Sequence, residues 1–190
     1  MLIFNACCPE EWMSTLDKFN SIQQTPDGGY IAAGSAGSSN IYLVKTDANG
    51  EKIWGKEFGR KESSLNGKSV YICEDGGYII TGYSLNLSTY RTDIYLAKTF
   101  PDGDTAWTKT IGGAKSDYGF CVRQTPDKNY IVAGYTSSFG AGGDDIYLIK
   151  LKNEGPLEVI KQQQQKQTEE IQQPQQNQTR EQRIEQRKNR

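Results

Sequence analysis

One phrase occurs three times in this chain of 190 residues, and it constrains the fold more than any total does. "TPDGGYIAAG" at Thr25 returns as "EDGGYIITG" at Glu74 and as "TPDKNYIVAG" at Thr125. Aligned on Asp27, Asp75 and Asp127, the copies lie 48 and 52 residues apart. A second phrase keeps nearly the same period: "IYLVK" at Ile41, "IYLAK" at Ile94 and "IYLIK" at Ile146, 53 and 52 residues apart. Trp54 is answered by Trp107, and "FG" at Phe58 by "IGG" at Ile111. A fixed period of this size marks one supersecondary unit, repeated so that each copy covers its apolar surface with its neighbours.

Within a copy, short runs rich in Tyr, Ile, Val and Thr alternate with Gly/Asp/Asn punctuation, the pattern of strands and tight turns. In the second copy the strands are expected at 69–73, 78–84, 93–99 and 105–111. The links "EDGG" and "FPDG" read as hairpin turns, because Gly supplies positive φ and Asp bonds the turning backbone. Where "PDKN" replaces both glycines with Lys128 and Asn129, the flanking strands persist. A turn tolerates that change, and a phosphate cradle does not. In "DIYLAKT" at Asp93, Ile94 and Leu96 project to one side and Tyr95 and Ala97 to the other, so both faces of the sheet expect cover. Nothing in the repeat has helical periodicity. Four antiparallel strands in each unit of about fifty residues describe a β-propeller blade.

The expected fold is therefore all-β: a partial β-propeller of about three four-stranded antiparallel blades, at residues 20–68, 69–120 and 121–161. Residues 1–19, with a stray outer strand near Trp12, read as the remnant of a preceding blade. In the third copy Val159 stands where Trp107 stands in the second, so its last strand reads as degraded. Residues 162–190 form a Gln-rich low-complexity tail with only Ile171 and Ile184 apolar, expected to be disordered or a frayed helix. Closed propellers need at least about four blades. The sequence thus predicts either a fragment of a longer propeller or a half-ring that self-associates to complete itself.

The run "TPDGGYIAAGS…NIYLVKTDANGEKIWGKEFG" and the third copy "DKNYIVAGYTSSFGAGGDDIYLIK" resemble the propeller-type repeat of bacterial and archaeal cell-surface and secreted proteins. The resemblance spans about Asn20 to Lys161. The layout is distantly similar to pyrroloquinoline-quinone-type and kelch-like propellers. What the resemblance implies is a fold and an extracellular or cell-surface habit, with no assigned chemistry.

Composition narrows the chemistry by exclusion. There is no His, so imidazole metal ligands, His general bases and Ser-His or Cys-His nucleophile pairs are excluded. Residues 161–190 carry +3 and residues 1–160 carry −4, and a mildly acidic body gives no basic face for nucleic acid. Cys7, Cys8, Cys73 and Cys121 match no zinc spacing or disulfide framework and read as free thiols. No apolar run approaches the ~18 residues of a membrane span. The opening "MLIFNACCPEEW" lacks the basic start of a secretory signal. Nothing in the sequence calls for a cofactor.

If the strands of a blade run alternately up and down, the tight turns share one face and the longer connections share the other. Binding chemistry is expected on the long-loop face, where loops are held by a rigid scaffold. Its candidate residues are Arg60, Lys61, Arg91, Lys115, Asp117, Tyr118, Phe139 and Asp144, expected exposed. Asp117, Asp144 and Asp145 offer a calcium option through their carboxylates. Trp54 and Trp107 recur with the scaffold and are expected to dock adjacent blades. The functional expectation is a non-catalytic interaction or scaffold module with a protein or glycan partner. The alternative is part of a propeller hydrolase or quinoprotein relative whose active site lies in blades outside this chain.

Overall fold

The hairpin phrase forms one turn repeatedly. In a computed structural model, which describes residues 18–153 other than 38 and 60, the amide of Thr25 donates to Gly29 O and that of Gly28 donates to Thr25 O, both at 2.9 Å. The same pair of bonds closes the turns that begin at Asp47, Cys73, Phe100 and Thr125. The fourth residue of each turn needs a left-handed backbone, supplied by Gly28, Gly50, Gly76 and Gly103 with φ between 78° and 87°. In the fifth turn Lys128 takes it at φ 62°. The geometry is a tight turn followed by a left-handed residue, a common hairpin connection.

Among the described residues there are eleven strands. They are β1 (Lys18–Gln24), β2 (Tyr30–Ala36), β3 (Asn40–Thr46), β4 (Lys52–Phe58), β5 (Ser63–Ile72), β6 (Tyr78–Asn86), β7 (Thr92–Thr99), β8 (Thr105–Ile111), β9 (Asp117–Gln124), β10 (Tyr130–Thr136) and β11 (Asp145–Leu151). They form three antiparallel sheets in sequence order: a first of β1–β4, a second of β5–β8 and a third of β9–β11. The region is all-β, and among the described residues no helix is long and apolar enough to cross a membrane. Trp12, Val159, Cys7, Cys8 and the Gln-rich tail lie outside the described residues.

A bulge recurs at the same place in the first strand of every sheet, leaving Asn20, Lys68 and Phe120 unpaired in register. Opposite it stand Gly34, Gly82 and Gly134. A Cβ on any of them would lie 1.8 Å from a backbone carbonyl oxygen, that of Lys18, Asn66 or Tyr118. The bulged strand comes so close that only glycine fits.

The sheets pack face to face. Ile31, Ala33, Ile41, Leu43 and Phe58 of the first sheet meet Tyr78, Ile80, Tyr95 and Ala97 of the second. Ile79, Ile94 and Leu96 on the second sheet's other face meet Val122, Tyr130 and Val132 of the third. The strand "DIYLAKT" is accordingly buried on both sides. Each fully buried Ile or Leu contributes about 1.5–3 kcal/mol, so the second sheet is tied to both neighbours. The Trp54 ring lies 5.9 Å from that of Tyr78, and Trp107 lies 5.9 Å from Tyr130. Each tryptophan thus rests on the hairpin tyrosine of the next sheet.

Side chains also bridge the first strands of successive sheets. The Val70 amide donates to Ser21 Oγ at 3.1 Å, and the Val122 amide donates to Ser69 Oγ at 3.4 Å. Gln23 Oε1 accepts from the Ile72 amide at 3.0 Å. Donors on edge strands β5 and β9 are satisfied in this way by the preceding sheet.

Candidate functional site at the loop end

Antiparallel order puts the five hairpin turns at one end of the sheets and the connections β2–β3, β4–β5, β6–β7, β8–β9 and β10–β11 at the other. The turn end is occupied by scaffold chemistry. Asp27 lies 2.5 Å from Lys45 Nζ, Asp75 lies 2.9 Å from Lys98 Nζ, and Asp127 lies 2.6 Å from Lys150 Nζ. One ion pair, between the hairpin aspartate and the lysine of "IYLxK", is repeated in all three sheets. The Lys45 ammonium, helped by the Thr25 hydroxyl, lowers the Asp27 carboxyl to about 2. Lys150, with Thr125 and Asn129, lowers that of Asp127 further. Sequence reasoning missed this pair, although the co-recurrence of Asp and Lys was there to be read.

At the loop end the connections are shorter than the sequence suggested. The first strand of the second copy is expected at 69–73, yet β5 begins at Ser63. Its polar "SSLNGKS" is held by pairing from Ser63↔Asn86 to Gly67↔Gly82 and by the Leu65 amide donating 2.8 Å to Ser39 O. Strand β6 likewise extends to Asn86 and β9 begins at Asp117, which shortens two further connections.

Neighbouring loops are stitched together. The Leu87 amide donates to Glu62 O at 3.1 Å, the Ser137 amide to Ser116 O at 2.8 Å, and the Lys115 amide to Ser138 Oγ at 2.9 Å. The Thr92 amide donates to Ser116 Oγ at 3.3 Å, linking the second sheet to the third. Under this seam lies Asp117. It was expected among the exposed residues but is fully buried. Its carboxylate accepts from the Gly113 amide at 2.8 Å, from Ser138 Oγ at 2.7 Å and from Thr136 Oγ. The physical reason is that two connections converge on it, and a carboxylate satisfies their donors together.

Asp93, which the sequence did not single out, approaches the same place. A Cβ on Gly112 would come within 2.0 Å of Asp93 Oδ1 and 2.9 Å of Asp117 Oδ2. Burial pushes the Asp93 carboxyl above its ordinary range, the Asp117 charge adds to this, and Arg91 opposes it.

The remaining candidates divide into two groups. Lys61, Arg91, Lys115 and Asp144 are exposed. Phe139 is half-exposed, with its ring 5.6 Å from that of Tyr147. Tyr118 is half-buried in an aromatic cluster, 5.0 Å from Tyr83, 4.7 Å from Tyr135 and 6.4 Å from Phe120. Arg60 lies outside the described residues. At the tip of the β6–β7 loop, Leu87 and Tyr90 are exposed beside Arg91. Asn86 Oδ1 holds this tip by accepting from the Ser88 and Thr89 amides, both at 2.9 Å, and Tyr90 adopts φ 55°.

Asp144 accepts from Ser137 Oγ at 2.7 Å and Asp145 from the Ala141 amide at 3.0 Å. With Asp117 they therefore serve three separate sets of donors. Among the described residues no group of three or more His, Cys, Asp or Glu is arranged to hold a metal ion. Cys73 is buried between the second and third sheets, and burial raises its thiol to about 11. The loop end presents exposed cations and aromatics on a braced base, an arrangement suited to recognition. No protein-family model matches the chain, and neither does any curated protein.

Proposed function

We propose that the chain is an arc of β-propeller blades acting as a non-catalytic interaction module, with its partner surface at the loop end. The three antiparallel sheets, stacked face to face with the same bulge and the same Trp–Tyr contact, support the blade reading. The observation that carries the function is the division of labour between the ends. The repeated carboxylates of the turn end are taken up by lysines. At the loop end Lys61, Arg91 and Lys115 stand exposed beside Tyr90, Leu87 and Phe139. Cations interleaved with aromatics on loops that are bonded to one another suit a protein segment bearing carboxylates and apolar side chains. Cell-surface habit follows only from the resemblance and is part of the proposal.

Peptide-display selection against the full chain tests this reading. Acidic, aromatic-containing sequences are expected to be enriched, and their binding to fall at least tenfold on Arg91→Glu combined with Lys115→Glu. Binders indifferent to those substitutions and to Tyr90→Ala refute the loop-end assignment. Enrichment confined to a glycan array moves the partner to the other class.

A further inference from the structure

The tip of the β6–β7 loop carries a short pattern that recognition of a peptide does not use. Residues 86–88 read Asn-Leu-Ser, an asparagine amide followed two places on by a hydroxyl, the acceptor pattern for N-linked glycans. So short a pattern often arises by chance, and what distinguishes this one is its setting. (The same pattern at Asn177 lies outside the described residues.) Residues 86 to 91 are all exposed. The backbone closes beneath them, with the Asn86 amide donating to Arg91 O at 2.8 Å and the Tyr90 amide to Asn86 O at 2.9 Å. The tip is thus a fixed projection whose side chains face water.

The two atoms of the Asn86 side-chain amide are used differently. Oδ1 accepts from the Ser88 and Thr89 amides, both at 2.9 Å. Two N–H donors identify the atom that faces them as the oxygen, so Nδ2 points away from the turn. Among the described residues Nδ2 donates to nothing. Asn20, Asn40 and Asn129, by contrast, commit Nδ2 to Gly67 O at 2.7 Å, to Glu57 at 3.0 Å and to Asp127 at 2.9 Å. A bulky substituent needs a nitrogen that can be modified without breaking a bond of the fold, and Asn86 offers one. Donors on the oxygen also draw charge from the nitrogen, so its proton passes more readily to a base. Leu87 and Tyr90 share the tip, 47% and 78% exposed, as apolar surface for a sugar to cover.

We propose that Asn86 is a site of N-linked glycosylation. The donor is an oligosaccharide carried on a lipid pyrophosphate. Nδ2 gives a proton to a base of the transferase and bonds to the anomeric carbon of the sugar. The bond from that carbon to the pyrophosphate oxygen breaks, and the lipid pyrophosphate leaves. No oxidant or reductant is needed. The Ser88 hydroxyl is the group by which the transferase recognises the acceptor. Oδ1 keeps both of its donors throughout, so the turn stays closed in the product. The proposal shares with the function above only the cell-surface habit, because such donors are used outside the cytosol. The site itself does not depend on the partner assigned to the loop end.

The folded full chain, incubated with a purified single-subunit oligosaccharyltransferase and a dolichyl-pyrophosphate oligosaccharide, tests this without regard to compartment. Peptide mass spectrometry is expected to find one glycan on the peptide containing Asn86. Asn86→Asp keeps the turn oxygen and removes the nitrogen, so it abolishes the product while circular dichroism is unchanged. Ser88→Ala keeps the backbone donor to Asn86 and removes the hydroxyl, and the yield falls at least tenfold. Ser88→Thr restores it. A folded chain left unmodified overturns the proposal, whether or not a urea-unfolded sample is modified, and so does a glycan found at Asn177 alone. Equal yield from the parent and Ser88→Ala overturns it too, since the hydroxyl is then not recognised. None of these results bears on the peptide selection above, which fails or succeeds with the unmodified chain.

Discussion

Replacing Asp75 with alanine removes the carboxylate 2.9 Å from Lys98 Nζ and leaves an ammonium group on a side chain only 6% exposed. Removing one partner of a fully buried pair costs about 3–5 kcal/mol, mostly because a charge is left unpaired. Two features lower that figure. Asp75 itself is open to water, and Lys98 keeps the Thr99 carbonyl at 2.8 Å. The expected cost is about 2–3 kcal/mol, or about 6–9 °C in thermal midpoint for a domain of this size. The chain supplies its own controls. Lys45 is slightly more open than Lys98, and Lys150 is more than half exposed. The loss on Asp→Ala should therefore fall in the order Asp75, Asp27, Asp127, read from melts of the three single variants by circular dichroism. Adding Lys98→Met to Asp75→Ala should recover most of the loss, because the uncompensated charge is gone. The reasoning fails if Asp127→Ala costs as much as Asp75→Ala, or if the double variant is no better than the single.

Other outcomes follow from the same geometry. Gly82→Ala drives a Cβ to 1.8 Å from the Asn66 carbonyl oxygen and should cost about 3 kcal/mol or more in denaturant unfolding. Gly37→Ala, whose added Cβ would point into open space but at φ 57°, should cost only about 1 kcal/mol. Lys128→Gly relieves a left-handed lysine and should raise stability by about 0.5 kcal/mol, net of its surface contact with Glu74. Asp27 titrates near 2 when folded against 3.8 as its ordinary value, so its contribution is present above pH ~4 and is lost as pH falls towards 2. Asp127 acts in the same sense, and Asp93, with its raised carboxyl, acts in the opposite one. The thermal midpoint should fall over that window, and Asp27→Asn should flatten the fall. A midpoint flat with pH in the parent chain contradicts this. Cys73, raised to about 11 from 9.0, should be alkylated about 100-fold more slowly than an ordinary thiol on thiolate fraction alone. Peptide mass spectrometry that finds it labelled as fast as Cys121 would contradict its burial.

Strands were legible where side chains declared them. "DIYLAKT" and "GGYII" carry apolar residues in runs that only a sheet covered on both faces can use, and the five turns carry Gly or Asp at fixed positions. What stayed hidden depended on partners distant in the chain. "SSLNGKS" has the composition of a loop and becomes strand because β6 and the Ser39 carbonyl receive it. Asp117 reads as a solvated loop residue, since nothing local shows that Gly113, Thr136 and Ser138 will converge on it. Among the candidates at the loop end, Arg91 was singled out by its charge, whereas Tyr90 beside it was not. Its exposure comes from the turn that Asn86 closes.

The hydroxyl bridges between first strands carry a consequence for motion. The outward amides of Val70 and Val122 belong to edge strands, and each is bonded to a serine of the sheet before it. Neither bond survives if that sheet lifts away, even when every ladder within the sheets stays intact. Hydrogen exchange at Val70 therefore times the opening of the first junction, and exchange at Val122 that of the second. Two single amides make the partings of the stack separately observable, before any strand has unravelled.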